Sequence, residues 1–188
     1  MRYIYCQHWD ERLREPRGLL TEDEARSRFA GDVPEPDNWF TVAVVGEEGE
    51  FEDVLMGVLE VLPYGDYIRT RIIDQLNRVG VVYHFRSNDE QMFLQGIVNY
   101  TYADDQNYYR LSQCSVVESL DFRTEDSYMK YRIDDKSQPT VEVREYRDVD
   151  LSANWEPVPE FGEWDRFVRY RGGLPFAGSD AVPVGERG

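Results

Sequence analysis

From Trp39 to Tyr146 turn signals cut the chain into short apolar runs roughly 8 to 12 residues apart, and no other feature narrows the fold as much. The breaks are Gly46 to Glu50, Pro63-Tyr64-Gly65-Asp66, Asn77-Arg78, Ser87-Asn88-Asp89, Ala103 to Asn107, and Asp134 to Pro139. Strands joined by such short turns pair antiparallel with their sequence neighbours. The spacing predicts strands over 39–46, 53–62, 66–75, 79–86, 91–102, 107–119, 127–133 and 140–147. The stretch 91–102 also fits a helix, because Phe93, Leu94, Ile97 and Val98 form a helical stripe, and so does 54–62, where Val54-Leu55-Met56-Gly57-Val58-Leu59 fits a short buried one. The run Tyr108-Tyr109-Arg110-Leu111, following the turn at 103–107, favours a hairpin there instead.

The fold class expected is therefore mainly β: an antiparallel meander of about eight strands, as a closed barrel or a strongly curved sheet. Closure would remove exposed edges and leave a lumen that side chains fill or that holds one small ligand. Residues 2–8 read as an edge or opening strand, and 10–20, charged and punctuated by Pro and Gly, as loop. Thr21 with Glu24 three residues on is a capping-box pattern, which places one short helix over 22–30, ended by Gly31. Residues 148–171, with Trp155, Phe161, Trp164 and Phe167, read as an aromatic strap across the sheet. One β-rich domain over 1–171 and a disordered tail over 172–188 are expected.

The formal net charge is −16, from 37 acidic and 21 basic residues. Such a chain repels phosphate backbones and anionic lipid, so nucleic acid and membrane surfaces are not expected partners, whereas a basic protein is attracted. The bland alternative is that the acidity only confers solubility. No run of about 18 apolar residues occurs and the N-terminus lacks a signal-peptide pattern, so a cytoplasmic location is expected. Cys6 and Cys114 read most simply as free thiols, the alternative being a disulfide, which needs their Cα atoms close together.

Cys6 and His8 share one face of the first strand, which suits a metal or a thiol nucleophile only if further ligands join them. Buried Cys and half-exposed His is the plainer interpretation, and no metal site or cofactor is expected. Val82, His84 and Arg86 alternate with Val81, Tyr83 and Phe85, while Arg69 and Arg71 alternate with Ile68, Thr70 and Ile72. If the polar sets face a lumen, Arg69, Arg71, Asp74, His84 and Arg86 would hold an anion or move a proton, with Tyr83 and Tyr100 as lining. Otherwise they form the solvated face of a one-sided sheet. Acidic residues cluster at predicted hairpin tips: Glu47, Glu48 and Glu50 at one, Asp104 and Asp105, beside Tyr108, at another. Phosphate loops, nucleophile elbows, zinc-protease motifs and calcium loops are absent.

The meander is similar in outline to lipocalin-like and allene-oxide-cyclase-like barrels. In size, charge and missing catalytic motifs the chain resembles the small acidic immunity proteins carried beside bacterial toxins. That resemblance implies a binder that neutralises a basic protein, such as a toxin, through Glu47, Glu48, Glu50, Asp104, Asp105 and Tyr108. The alternative is a small-molecule barrel, a carrier or a cyclase- or isomerase-like enzyme, working through Arg69, Arg71, His84 and Arg86.

Overall fold

The computed structural model describes residues 1–47, 53–169 and 171. Eleven strands and one α-helix follow in order: β1 (Arg2–Asp10), β2 (Glu15–Leu19), α1 (Glu22–Phe29), β3 (Phe40–Val45), β4 (Leu55–Val61), β5 (Tyr67–Ile73), β6 (Val79–Asn88), β7 (Gln91–Thr101), β8 (Val116–Arg123), β9 (Tyr128–Asp135), β10 (Glu142–Tyr146) and β11 (Trp155–Pro157). All belong to one antiparallel sheet ordered β10-β9-β8-β7-β6-β5-β4-β3-β1-β2, with β11 paired to β7 off that path. From β3 to β10 each strand bonds to its sequence neighbour, as the turn spacing predicts.

Several expectations are corrected. The sheet is not closed into a barrel: β2 and β10 are its free edges, and the strands number eleven rather than about eight. β1 is internal, flanked by β2 and β3, instead of an edge. Residues 10–20 hold β2, whose Pro16 and Gly18 the sheet tolerates because this edge strand has one partner. The strand expected over 107–119 begins only at Val116. Asp104 accepts the backbone N–H groups of Gln106 and Asn107 and the Tyr109 hydroxyl, and Arg110 to Gln113 form a 3₁₀ turn, so the intervening residues loop out. Both stretches that also fitted helices are strands. The expected tail over 172–188 lies outside the described residues.

α1 forms where the local code puts it. Thr21 accepts from the Glu24 N–H at 3.2 Å, and the Glu24 carboxylate accepts from the Thr21 N–H at 2.7 Å. Glu22, Asp23 and Glu24 in the first turn suit the positive end of the helix dipole.

Strand alternation divides the sheet into two faces. On the first, Tyr5, Phe40, Val42, Leu59, Ile68, Tyr83 and Phe85 form a buried apolar cluster. The C-terminal strap closes it: Trp164 and Phe167 are fully buried, and Phe167 meets Phe85 edge-on at 5.1 Å. Gly57 lets the strap come close, since a Cβ there would lie 2.8 Å from Val168 Cγ1. Among the described residues no helix is long and apolar enough to cross a membrane.

The second face carries Glu60, Arg69, Arg71 and His84 among the buried Cys6, Ala43, Val58 and Val82, and the sheet curls toward this more polar side. In the sheet order β1 and β5 are three strand spacings apart, about 14 Å if flat. Yet Glu11, just past β1, pairs with Arg71 of β5, and Arg14 lies 4.4 Å over the ring of Tyr108, beyond β7. Bulges at Val44/Val45, Ile72/Ile73 and His84/Phe85 add the bend this requires. The β1–β2 hairpin tip thus crosses the polar face through side-chain contacts, without strand-to-strand hydrogen bonds.

Candidate functional site

The register puts Arg69 opposite His84 and Glu60, Arg71 opposite Val82 and Val58, and Tyr67 opposite Arg86. Arg69, Arg71, His84 and Arg86 therefore share the polar face, as their alternation predicts. Tyr100 joins them through the pairing of Val82 with Val98. Tyr83 does not: it belongs to the packed face, where its hydroxyl accepts the Arg171 N–H at 3.0 Å. Asp74 lies past the β5 bulge, where it pairs with Arg78 at 2.7 Å.

These groups are wired to one another. Arg71, only 6% exposed, pairs with both Glu60 and Glu11. Arg69 lies 3.4 Å from the other Glu60 oxygen. Oppositely charged groups removed from water hold one another in place in this way. His84 Nδ1 and the Tyr67 hydroxyl are 2.7 Å apart. The His84 ring sits over Gly96, where a Cβ would come within 3.6 Å of its Cδ2. Burial holds the His84 pKa below the usual histidine value and the Arg69 charge adds to this, with Asp121 and Glu60 opposing more weakly. The imidazole is neutral near pH 7 and shares a hydrogen bond with the phenol. Arg86 stands apart, lining an open cleft of about 260 Å³ with Ser87, Gln95 and Arg123 at the far end of the sheet.

A wide opening lies where the hairpin tip and the stretch 102–115 cross the polar face. It measures about 540 Å³, within the usual range for small-molecule sites. Tyr100, Tyr108, Leu111 and Val117 give it apolar and aromatic walls, and Arg12, Arg110 and Lys136 surround it with charge. Cys114 is also in its wall, buried and unpaired. A second void beneath the hairpin, about 30 Å³, is no more than water-sized. The loop carrying Tyr108 is pinned from below. The buried Arg78 guanidinium donates to the carbonyls of Asp104 and Asn107 at 2.7 and 3.3 Å and lies 4.7 Å over Tyr102. Tyr102 stacks on Tyr109.

Of the expected partner-binding residues the described ones, Glu47, Asp104, Asp105 and Tyr108, lie in two connections at one end of the sheet. Glu47 pairs with the N-terminal ammonium at 2.8 Å. Asp104 is consumed by its own loop, and the Tyr109 hydroxyl with the backbone N–H groups holds its carboxyl down at about 2. Asp105 lies 3.7 Å from the Arg78 guanidinium with its side chain 96% exposed, and Tyr108 is 41% exposed. Glu48 and Glu50 lie outside the described residues. Alternating strand directions put the β3–β4 and β7–β8 connections at one end of the sheet. Asp66, Asp89, Glu90, Glu125 and Asp126 sit in the connections at the opposite end.

Cys6 and His8 occupy alternate positions of β1, with Cys6 fully buried and His8 exposed. Among the described residues no three His, Cys, Asp or Glu side chains gather as a metal site. Sequence reasoning missed Arg12, Arg110 and Lys136. They come from three distant segments, and only the curl of the sheet brings them together. No family model, curated protein or solved structure matches the chain.

Proposed function

We propose that this protein binds a small molecule between the polar face of its curled sheet and the overlying β1–β2 hairpin. The observation that carries this reading is the opening of about 540 Å³ walled by Tyr100, Tyr108, Leu111 and Val117, in a fold whose other face is solidly packed. The Glu11–Arg71–Glu60 network serves it by fixing the hairpin across the face. The role is a carrier or sensor: His84 and Tyr67 could pass a proton between them, but neither lines this opening.

Thermal-shift screening of the full chain against a broad small-metabolite panel tests the reading. At least one compound should raise the melting temperature, and Val117→Trp, which fills the opening, should remove the shift. A panel without a single such compound would overturn it. A second reading, capture of a basic protein, draws on the exposed Asp105 and Tyr108 at the same end of the sheet as Glu47. It predicts a stoichiometric partner recovered from the native host at low salt and lost on Asp105→Lys.

A further inference from the structure

We infer that the ligand of this opening is an aromatic anion, a small ring bearing a carboxylate or a phosphate; the inference rests on the binding function proposed above and names its chemical class. The argument begins with an imbalance. The chain holds 37 acidic residues against 21 basic ones, so a cation at the surface meets carboxylates in excess. Most arginines accordingly have one: Arg2, Arg17, Arg26, Arg69, Arg71, Arg78, Arg132, Arg144, Arg147, Arg166, Arg169 and Arg171 all lie within ion-pair distance of Asp or Glu. Among the described residues Arg12, Arg14, Arg28, Arg86, Arg110, Arg123, Lys130 and Lys136 enter no ion pair with Asp or Glu, and of these Arg12, Arg110 and Lys136 border the same opening.

The nearby carboxylates are engaged elsewhere. Glu11, in the wall of the opening, is held by the buried Arg71. Asp135, the neighbour of Lys136, turns back to accept the Ser137 N–H at 2.9 Å and its hydroxyl at 2.7 Å. At the edge, Arg14 lies over the outer Tyr108 ring and adds a further positive charge. A positive opening in a strongly negative molecule attracts anions locally while the rest of the surface repels them. Arg110 and Arg12 offer planar forks suited to carboxylate or phosphate oxygens, and Lys136 a point charge.

The other half of the ligand follows from the walls. Tyr100 is half-buried, Tyr108 is 41% exposed, and Leu111 and Val117 share the same lining. Such a surface takes a flat ring by stacking and apolar contact. A bare inorganic anion would leave it uncovered. A neutral ring would leave the cations unpaired, and a cationic ring would be repelled.

Calorimetric titration of the full chain with phenyl phosphate, benzoate, inorganic phosphate, benzyl alcohol and benzylammonium tests the class directly. Phenyl phosphate and benzoate should bind, with affinity falling as salt rises. Inorganic phosphate and benzyl alcohol should bind at least about tenfold more weakly, and benzylammonium should not bind. Arg110→Gln and Lys136→Gln, both at exposed positions that leave the core intact, should each weaken phenyl phosphate about tenfold, the value of one charge-assisted contact. Binding of benzyl alcohol as tight as benzoate, or indifference to both substitutions, overturns the anion inference. Equal binding of inorganic phosphate and phenyl phosphate overturns its aromatic half. Failure of every probe also overturns it. The metabolite screen with Val117→Trp is read separately, so the binding function can survive the loss of this ligand class.

Discussion

Truncating Trp164 to alanine isolates what the strap contributes and whether the two faces of the sheet work independently. The indole is fully buried. It meets Phe29, Phe40 and Phe161 edge-on at 5.7, 6.0 and 5.6 Å, and its Nε1–H donates to the Tyr5 hydroxyl at 3.3 Å. Removing a buried Trp side chain costs about 3–5 kcal/mol through forfeited apolar transfer and the cavity left behind. The three edge-on ring pairings, all broken at once, place this case toward the upper end. For a chain of this length the cost corresponds to a fall in melting temperature of roughly 6–20 °C. Urea unfolding followed by tryptophan fluorescence and by far-UV circular dichroism measures it. Trp164→Phe keeps most of the packing and forfeits one long hydrogen bond, so it should cost less than about 1.5 kcal/mol beyond the volume change. Well below its unfolding midpoint, Trp164→Ala should bind ligand in the opposite opening as the native chain does. A cost under about 1 kcal/mol would refute the strap as the seal of the core. A coupled loss of affinity at full folding would refute the independence of the faces.

Three other outcomes follow. Gly57→Ala puts a Cβ 2.8 Å from Val168 and 2.9 Å from the Arg71 carbonyl oxygen, so denaturant unfolding should register a loss of about 1–3 kcal/mol; an unchanged midpoint would mean that the strap does not approach this closely. Burial, followed by the Arg69 charge, lowers the folded-state His84 pKa, so between that value and the unfolded value near 6.5 the unfolded chain binds more protons; stability should fall as pH drops through this window and fall less in His84→Gln, and an NMR titration midpoint at or above about 6.5 would contradict it. Cys6 and Cys114 are buried and unpaired, with burial pushing the Cys6 thiol up to about 11, so a maleimide should label neither rapidly in the native chain and both after unfolding; an intact disulfide in non-reducing mass spectrometry would sink this.

What could be read from the sequence was short in range. The capping box at Thr21 and Glu24 involves residues three apart, and it forms as read. The alternation of Val82, His84 and Arg86 against Val81, Tyr83 and Phe85 states which side chains share a face, and the register agrees. Errors begin where a distant residue decides. Tyr108-Tyr109-Arg110-Leu111 has a strand's composition, but Asp104 captures Tyr109 and Arg78, coming from the β5–β6 turn, grips the carbonyls beneath. Glu15-Pro16-Arg17-Gly18-Leu19 has a loop's composition, yet it pairs with β1 because an edge strand asks hydrogen bonds of one side only.

Alternation tells which residues face together but not what lies opposite them, and in this fold the opposite layer makes the difference. Tyr83 and His84 are adjacent in β6, and the one-residue step sends them to different surroundings. Tyr83 meets the strap, where Arg171 completes its hydrogen bonding. His84 meets Tyr67 and the charge of Arg69, on the face that the hairpin tip and the stretch 102–115 cross. A packed cover yields a core and a partial cover leaves an opening, so the proposed binding site belongs to the side the chain closes least. The same curl that carries Glu11 to Arg71 brings Arg12, Arg110 and Lys136 around that opening. Loosening the hairpin with Arg71→Met should therefore weaken the opening's affinity for its ligand while the face sealed by Trp164 stays packed.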